Sequence, residues 1–201
     1  ELLIVQGRHN EAIDVCRALT DRYPDSRLAD QAFLNIALAR LQGGEPKEAI
    51  PLFEGVLGLR QADPNVKAEA QYSIGLAQEM IAQDQAQQSG QPVNLSAAVS
   101  SYQRTAEAFP NSHFAGEALK KNVNYYILAE DYTRALELLE RVVRDYPDKP
   151  WLDDMVLKWG IASFRMGNPE EAKRKFTQVV EEYPGTKASV QAKKFLATLG
   201  S

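Results

Sequence analysis

An aromatic residue followed by proline returns along this chain on a fixed ruler, at Tyr23-Pro24, Phe109-Pro110, Tyr146-Pro147 and Tyr183-Pro184, each proline standing 12 residues after an alanine. The alanines at 12, 49, 98, 135 and 172 are themselves 37 apart in three of four steps, and 49 apart between Ala49 and Ala98. In the second unit the alanine-to-proline gap, Ala49 to Pro64, is 15. One register therefore covers almost the whole chain, with a small insertion near 57–63 and a larger one between 81 and 95. A motif on such a period marks a repeat protein, in which each unit buries its apolar face only against its neighbours.

Within a unit the residues ask for two helices. Ala172, Phe176, Val179, Val180 and Tyr183 fall at i, i+4, i+7, i+8 and i+11, one face of a 3.6-residue helix. The same stripe reads Ala135, Leu139, Val142, Val143, Tyr146 one unit earlier, and Ala49, Phe53, Val56, Leu57 further upstream. Asn168-Pro169-Glu170-Glu171 opens one such helix with a capping side chain, a proline at its first position and two acids at the positive end of the helix dipole; Glu45-Pro46-Lys47-Glu48 does much the same. The proline after each aromatic stops this second helix, since it lacks an amide donor and drives the preceding residue out of the α region. Ser26, Ser112 or Thr186 then caps the next helix, and Gly7, Gly43-Gly44 and Gly167 close the first helices of their units. Those first helices carry small or medium residues five apart: Ala32 and Ala37, Ala70 and Gly75, Ala118 and Val123, Met155 and Gly160, Ala192 and Ala197. Small side chains there let neighbouring helices approach closely.

This pattern resembles the tetratricopeptide repeat. Ala172, Phe176, Val179 and Pro184 match the small, large apolar, apolar and proline positions of that family's second helix, and Gly160 matches the small residue of its first. The period of 37 exceeds the usual 34, the extra residues lying between the proline and the next alanine. Arg144-Asp145-Tyr146-Pro147, Gly167-Asn168-Pro169-Glu170-Glu171-Ala172 and Glu182-Tyr183-Pro184-Gly185-Thr186, followed by Ala192-Lys193-Lys194, resemble a bacterial branch of the superfamily. That branch includes the carboxy-terminal domain of the TolA-binding protein of the Tol-Pal system and the BamD-type outer-membrane assembly lipoproteins; the resemblance runs from about Ala98 to Leu199. It implies an all-α, right-handed superhelical solenoid of stacked antiparallel helical hairpins. About five units are expected, the first incomplete and the last a lone helix over 186–199, in a single repeat domain over 1–201. Glu1-Leu2-Leu3-Ile4-Val5-Gln6-Gly7 reads as the tail of a first helix, so the chain is expected to be a piece of something longer.

Composition fits a helical scaffold. The chain is 44% hydrophobic and 25% charged, with no apolar run of the ~20 residues needed to span a membrane. A net charge of −4 argues against a nucleic-acid partner. The segment from Met155 onward is nonetheless basic, with eight Lys/Arg against four Glu. Such an imbalance reads either as solvated helix faces or as a docking surface for an acidic protein segment. Only His9 and His113 are present, in different units and without metal-ligand spacing, and His113 reads as a surface residue. Cys16 occupies the large-apolar slot of Phe176 and Leu139, hence a buried structural thiol. A lone cysteine leaves the compartment open, the cytoplasm included. Gly43-Gly44, Gly55 and Gly58 are not followed by Gly-Lys-Ser/Thr, so no phosphate loop is read. Glu170-Glu171, Glu181-Glu182 and Asp153-Asp154 are adjacent on helices and do not face one another. No catalytic, cofactor or metal site is expected.

The family's groove positions, carried over by register, are Glu69, Tyr72, Glu79, Lys120, Asn124, Asp154 and Arg165, candidates for holding a partner's peptide segment. Trp159 is expected in the core and Trp151 partly exposed. The insertion at 82–94, rich in Gln with Gly90 and Pro92, reads as a frayed helix extension and a mobile loop. The resemblance implies a non-enzymatic interaction scaffold in a bacterial cell envelope, periplasmic or outer-membrane-associated. The other readings are a regulatory or substrate-recruiting domain of a larger enzyme, and a small-molecule or glycan binder, for which Tyr72, Tyr125 and Tyr126 are too dispersed. The oligomeric state is not legible.

Overall fold

In a computed structural model, residues 2–24 and 26–199 are described, with the side chain at 27 set aside. Every regular element among them is an α-helix: α1 (Leu2–Val5), α2 (His9–Arg22), α3 (Arg27–Gln42), α4 (Pro46–Gly58), α5 (Pro64–Ser89), α6 (Ser96–Ala108), α7 (His113–Leu128), α8 (Tyr132–Asp145), α9 (Leu152–Arg165), α10 (Pro169–Glu182) and α11 (Lys187–Leu199). By its internal packing the chain divides into two compact units, Glu1–Ala118 and Leu119–Ser201, with the division inside α7. Glu1, Asp25, Gly200 and Ser201 lie outside the described residues, so the reading of Glu1 in the first helix lies outside them too.

In the first unit each helix from α1 to α6 packs on its chain neighbour, and α3 also touches α5. In the second, α8 packs on α9, α9 on α10, α10 on α11, and α9 also touches α11. Short links make consecutive helices antiparallel, and the contact between alternate helices is what stacked hairpins require. The core follows the repeat stripe. Ala49, Phe53 and Val56, then Ala135, Leu139 and Val142, then Ala172, Phe176 and Val179 are almost wholly buried, while Leu57, Val143, Val180, Tyr146 and Tyr183 at the helix ends are half-buried.

Local chemistry sets the helix ends. Ser26 Oγ accepts from the Leu28 amide at 3.2 Å, Ser112 Oγ from Ala115 at 3.2 Å and Thr186 Oγ1 from Ser189 at 3.1 Å. Asn168 Oδ1 accepts from the Glu171 amide at 3.3 Å. Glu45 precedes Pro46 but makes no cap; its carboxylate turns to Arg40 at 2.5 Å. Pro64 departs from the other repeat prolines: it opens α5 at the first helical turn, behind an Asp63 cap onto Asn65 at 2.7 Å, rather than closing α4.

The first helices end in a left-handed residue, with positive φ at Gly7, Gly44, Gly90 and Gly167 and at one non-glycine, Glu130 (φ 57°). Two other glycines answer to packing. A β-carbon on Gly75 would stand 2.4 Å from the Tyr102 ring, and one on Gly160 2.5 Å from the Phe176 ring. In these two hairpins, α5–α6 and α9–α10, the ring of the second helix thus lies in a notch cut in the first.

Three expectations need correction. The insertion is not frayed: α5 continues as regular helix to Ser89 and is closed by Gly90, leaving a short extended link before α6. Its Ala and Gln residues are good helix formers, and the helix absorbs most of the extra length. Cys16 is half-buried rather than fully buried, because α1 is a single turn that shields Ala12 and Ile13 more completely; burial still pushes its thiol pKa up. Ala197 is exposed although its partner Ala192 is buried.

Candidate partner-binding surface

In the first unit Glu69, Tyr72 and Glu79 stand on α5, all half-buried. Tyr72 packs between two further rings, 5.3 Å from Tyr102 on α6 and 5.5 Å from Phe114 on α7. Tyr102 is almost wholly buried, and its hydroxyl donates to the Glu79 carboxylate at 2.7 Å. Beside it Ser101 donates to Gln78 Oε1 at 2.7 Å, so two side-chain bonds tie α6 to α5. Burial, reinforced by Glu117 and Glu79, pushes the Tyr72 hydroxyl up to about 12. Tyr102 is driven upward by burial first and then by the bond to Glu79, which holds the phenol proton. The sequence offers the α5 residues as a polar stripe; the structure makes two of them part of an aromatic cluster whose other members, Tyr102 and Phe114, lie 30 and 42 residues from Tyr72 in the chain.

In the second unit Lys120 Nζ lies 5.2 Å from the centre of the Trp151 ring, a cation over an aromatic face. Asn124 is half-buried, and its Oδ1 is buried with no hydrogen-bond partner among the described residues. Asp154 is paired with Lys158 one turn along α9, and Arg165 is exposed near the end of that helix. Trp151 is half-buried as expected, but Trp159 is half-buried too, and Lys175 Nζ sits 3.5 Å over its ring. Lys175 is itself 5% exposed, and burial followed by the neighbouring Arg174 pulls its amine below the usual lysine range. Arg174 is bound to Glu171 at 2.6 Å. Of the eight basic residues after Met155, Lys158, Arg174 and Lys175 are therefore engaged within the fold, which thins the basic surface read from the sequence. His113 is exposed at the start of α7, edge-on to Phe114.

Among the described residues no group of three or more His, Cys, Asp or Glu is arranged to hold a metal ion, and no helix is long and apolar enough to cross a membrane.

Hairpins joined by left-handed turns, with a ring-in-notch contact between their helices, define a tetratricopeptide-type repeat protein, a fold that serves as a protein-interaction scaffold. A tetratricopeptide repeat profile matches residues 154–186. The profile of the outer membrane lipoprotein family YfiO matches residues 4–162, most of the chain, and the chain belongs to that family. The outer membrane protein assembly factor BamD of Haemophilus influenzae is 26% identical over 125 residues, 58% of this chain and 47% of that protein. The chain thus spans about half the length of the curated relative it matches. Among solved structures, MamA superposes with a TM-score of 0.61 at 21% identity over 89% of this chain and 91% of that one. YrrB, described as a TPR protein with an unusual peptide-binding site, gives 0.59 at 19% identity over 96% and 87%. These structural likenesses carry the fold.

Proposed function

We propose that this chain is a non-catalytic scaffold of a bacterial outer-membrane-associated complex, and that residues 1–201 act there as one repeat domain holding a segment of a partner protein. The observation that carries the reading is the match of residues 4–162 to the outer membrane lipoprotein family. The likeness to BamD supports outer-membrane protein assembly as the setting, ahead of the Tol-Pal system. Glu69, Tyr72, Glu79, Lys120, Asn124, Asp154 and Arg165 are the proposed contact residues. Tyr72 offers an aromatic surface already ordered by its neighbours, so little side-chain entropy is lost on contact. The buried Asn124 Oδ1 is an acceptor awaiting a donor, and a partner amide there would satisfy it.

The test is cross-linking and affinity capture from a detergent-solubilised envelope of the source cell. The wild-type chain is compared with a variant carrying Tyr72→Ala, Lys120→Ala, Asn124→Ala and Arg165→Ala and verified as helical by circular dichroism. Envelope proteins retained by the wild type and lost by the variant are the expected result. Equal capture by both moves the interface elsewhere, and capture of cytosolic proteins alone refutes the envelope setting.

A further inference from the structure

The last helix carries a face that its packing leaves uncovered. The inner side of α11, with Ala188, Ser189 and Ala192, is buried where the helix meets α9 and α10, and Phe195 there stacks on Phe176. Lys187, Val190, Lys193, Lys194 and Ala197 are exposed, and at 3.6 residues per turn they share about 120° of arc on the opposite side. This face holds three cations and no carboxylate, since residues 187–199 contain no Asp or Glu. None of the three ammonium groups makes an ion pair or hydrogen bond among the described residues.

Helix stability does not account for these lysines. Lys187 is the first residue of α11, where a cation opposes the helix dipole. A terminal helix of a repeat array needs a polar outer face, but either sign of charge meets that need. The neighbouring α10 illustrates it, with Glu170, Lys173, Arg174, Glu181 and Glu182 together on its outer surface. On α11 only one sign is present, in a chain of net charge −4. Lys193 and Lys194 stand 37 residues after Val156 and Leu157, both almost wholly buried. A protein helix packed on the α11 face in the same way would bury two ammonium groups, at a cost that only close pairing offsets.

We infer that the outer face of α11 seats the protein on an anionic phospholipid surface. Its five residues stand on one convex helix and not in a groove between elements, so a layer of mobile phosphates fits it better than a peptide or a folded partner. The lysine side chains reach the phosphates, while Val190, 53% exposed at the centre of the arc, meets the boundary beneath the headgroups. The unit that carries the face favours the approach. Residues 119–201 hold 14 Lys/Arg against 12 Asp/Glu, whereas residues 1–118 hold 9 against 15. Each lysine beside such a surface strengthens partitioning about five-fold. None of the proposed partner contacts lies on α11, so the inference is independent of that surface.

Co-sedimentation of the whole chain with sucrose-loaded vesicles tests this, using phosphatidylcholine alone and phosphatidylcholine with about 30% phosphatidylglycerol, in about 0.1 M salt. Phosphatidylglycerol should strengthen partitioning roughly ten-fold or more, and about 0.5 M salt should remove the gain. Lys187→Gln/Lys193→Gln/Lys194→Gln should bring partitioning within about two-fold of phosphatidylcholine alone, and the corresponding triple arginine variant should restore it. Arg134→Gln/Arg144→Gln/Lys173→Gln removes the same charge elsewhere in the unit and should keep most of the gain. Circular dichroism verifies that each variant is folded. Equal sedimentation with both vesicles overturns the inference, as does a gain that survives in the α11 glutamine variant or is lost equally in the control variant. So does capture of a polyglutamate peptide by the α11 lysines in place of vesicles, which would assign the face to an acidic protein segment. The partner-capture result stands or falls separately.

Discussion

Glu130 is the one non-glycine among the described residues with positive φ, and it stands 37 residues before Gly167, which holds the same turn with φ 77°. A side chain in the left-handed region costs about 1 kcal/mol, and Glu130 is exposed, with nothing evident to offset it. Glu130→Gly is therefore expected to raise stability by roughly 0.5–1 kcal/mol, less whatever the glycine adds in unfolded-chain entropy, read as a higher urea midpoint. The notch glycines run the other way. Alanine at Gly160 would gain about 1 kcal/mol in helix propensity, but its β-carbon would meet the Phe176 ring, which is stacked on Phe195 at 4.8 Å and has no room to retreat. Overpacking of this kind costs about 1–3 kcal/mol, so Gly160→Ala should be net destabilising. Adding Phe176→Leu should restore much of the loss, because the preceding unit already carries Val123 and Leu139 at these two positions. Denaturant unfolding of the single and double variants checks both statements; a more stable Gly160→Ala would refute the notch.

Helix boundaries were the most readable level of this structure, because they are fixed by chemistry within four residues. Asn168 illustrates it. Its cap onto the Glu171 amide is the geometry that Asn-Pro-Glu-Glu predicts, and Asn168→Ala should cost about 1 kcal/mol. The equivalent Glu45→Ala should cost less, since Glu45 caps nothing and loses only a partly exposed ion pair with Arg40. Thermal unfolding of the two variants side by side distinguishes them. Less legible was α5. Its final turns are Ala and Gln with no apolar periodicity, so pattern reading had little to hold there, although Gly90 in the left-handed conformation is the ordinary end of a helix. The candidate surfaces were legible only in part. Register placed Tyr72 and Glu79 on one helix, but the bond from Tyr102 to Glu79 joins residues 23 apart on separate helices. Local sequence patterns do not encode such meetings; the stacking of hairpins does.

At the scale of the whole molecule, stability should respond to alkaline pH through buried phenols. In the unfolded chain Tyr72 ionises near 10, whereas in the fold burial holds its proton to about 12. The folded pKa is the higher one, so this contribution is fully present below pH 10 and is lost as pH rises through 10 to 12. Tyr102 acts in the same direction, from burial and its bond to Glu79. Lys175 opposes them. Its folded pKa lies below the unfolded value, so the unfolded chain binds the extra proton and stability rises with pH across the interval between the two. Urea midpoints measured from pH 8 to 11.5 should fall above pH 10, and Tyr72→Phe should flatten that fall; an unchanged slope would contradict the buried-phenol account. The ring-in-notch contact also bears on how such a molecule can change by descent. Gly75 with Tyr102, and Gly160 with Phe176, are each matched across one hairpin, 27 and 16 codons apart. A crossover at an aromatic-proline step would carry both members together and exchange whole hairpins intact. A crossover at the turn between the two helices would separate ring from notch, so the boundaries at which duplication and shuffling preserve a working array fall at the prolines and not at the glycines.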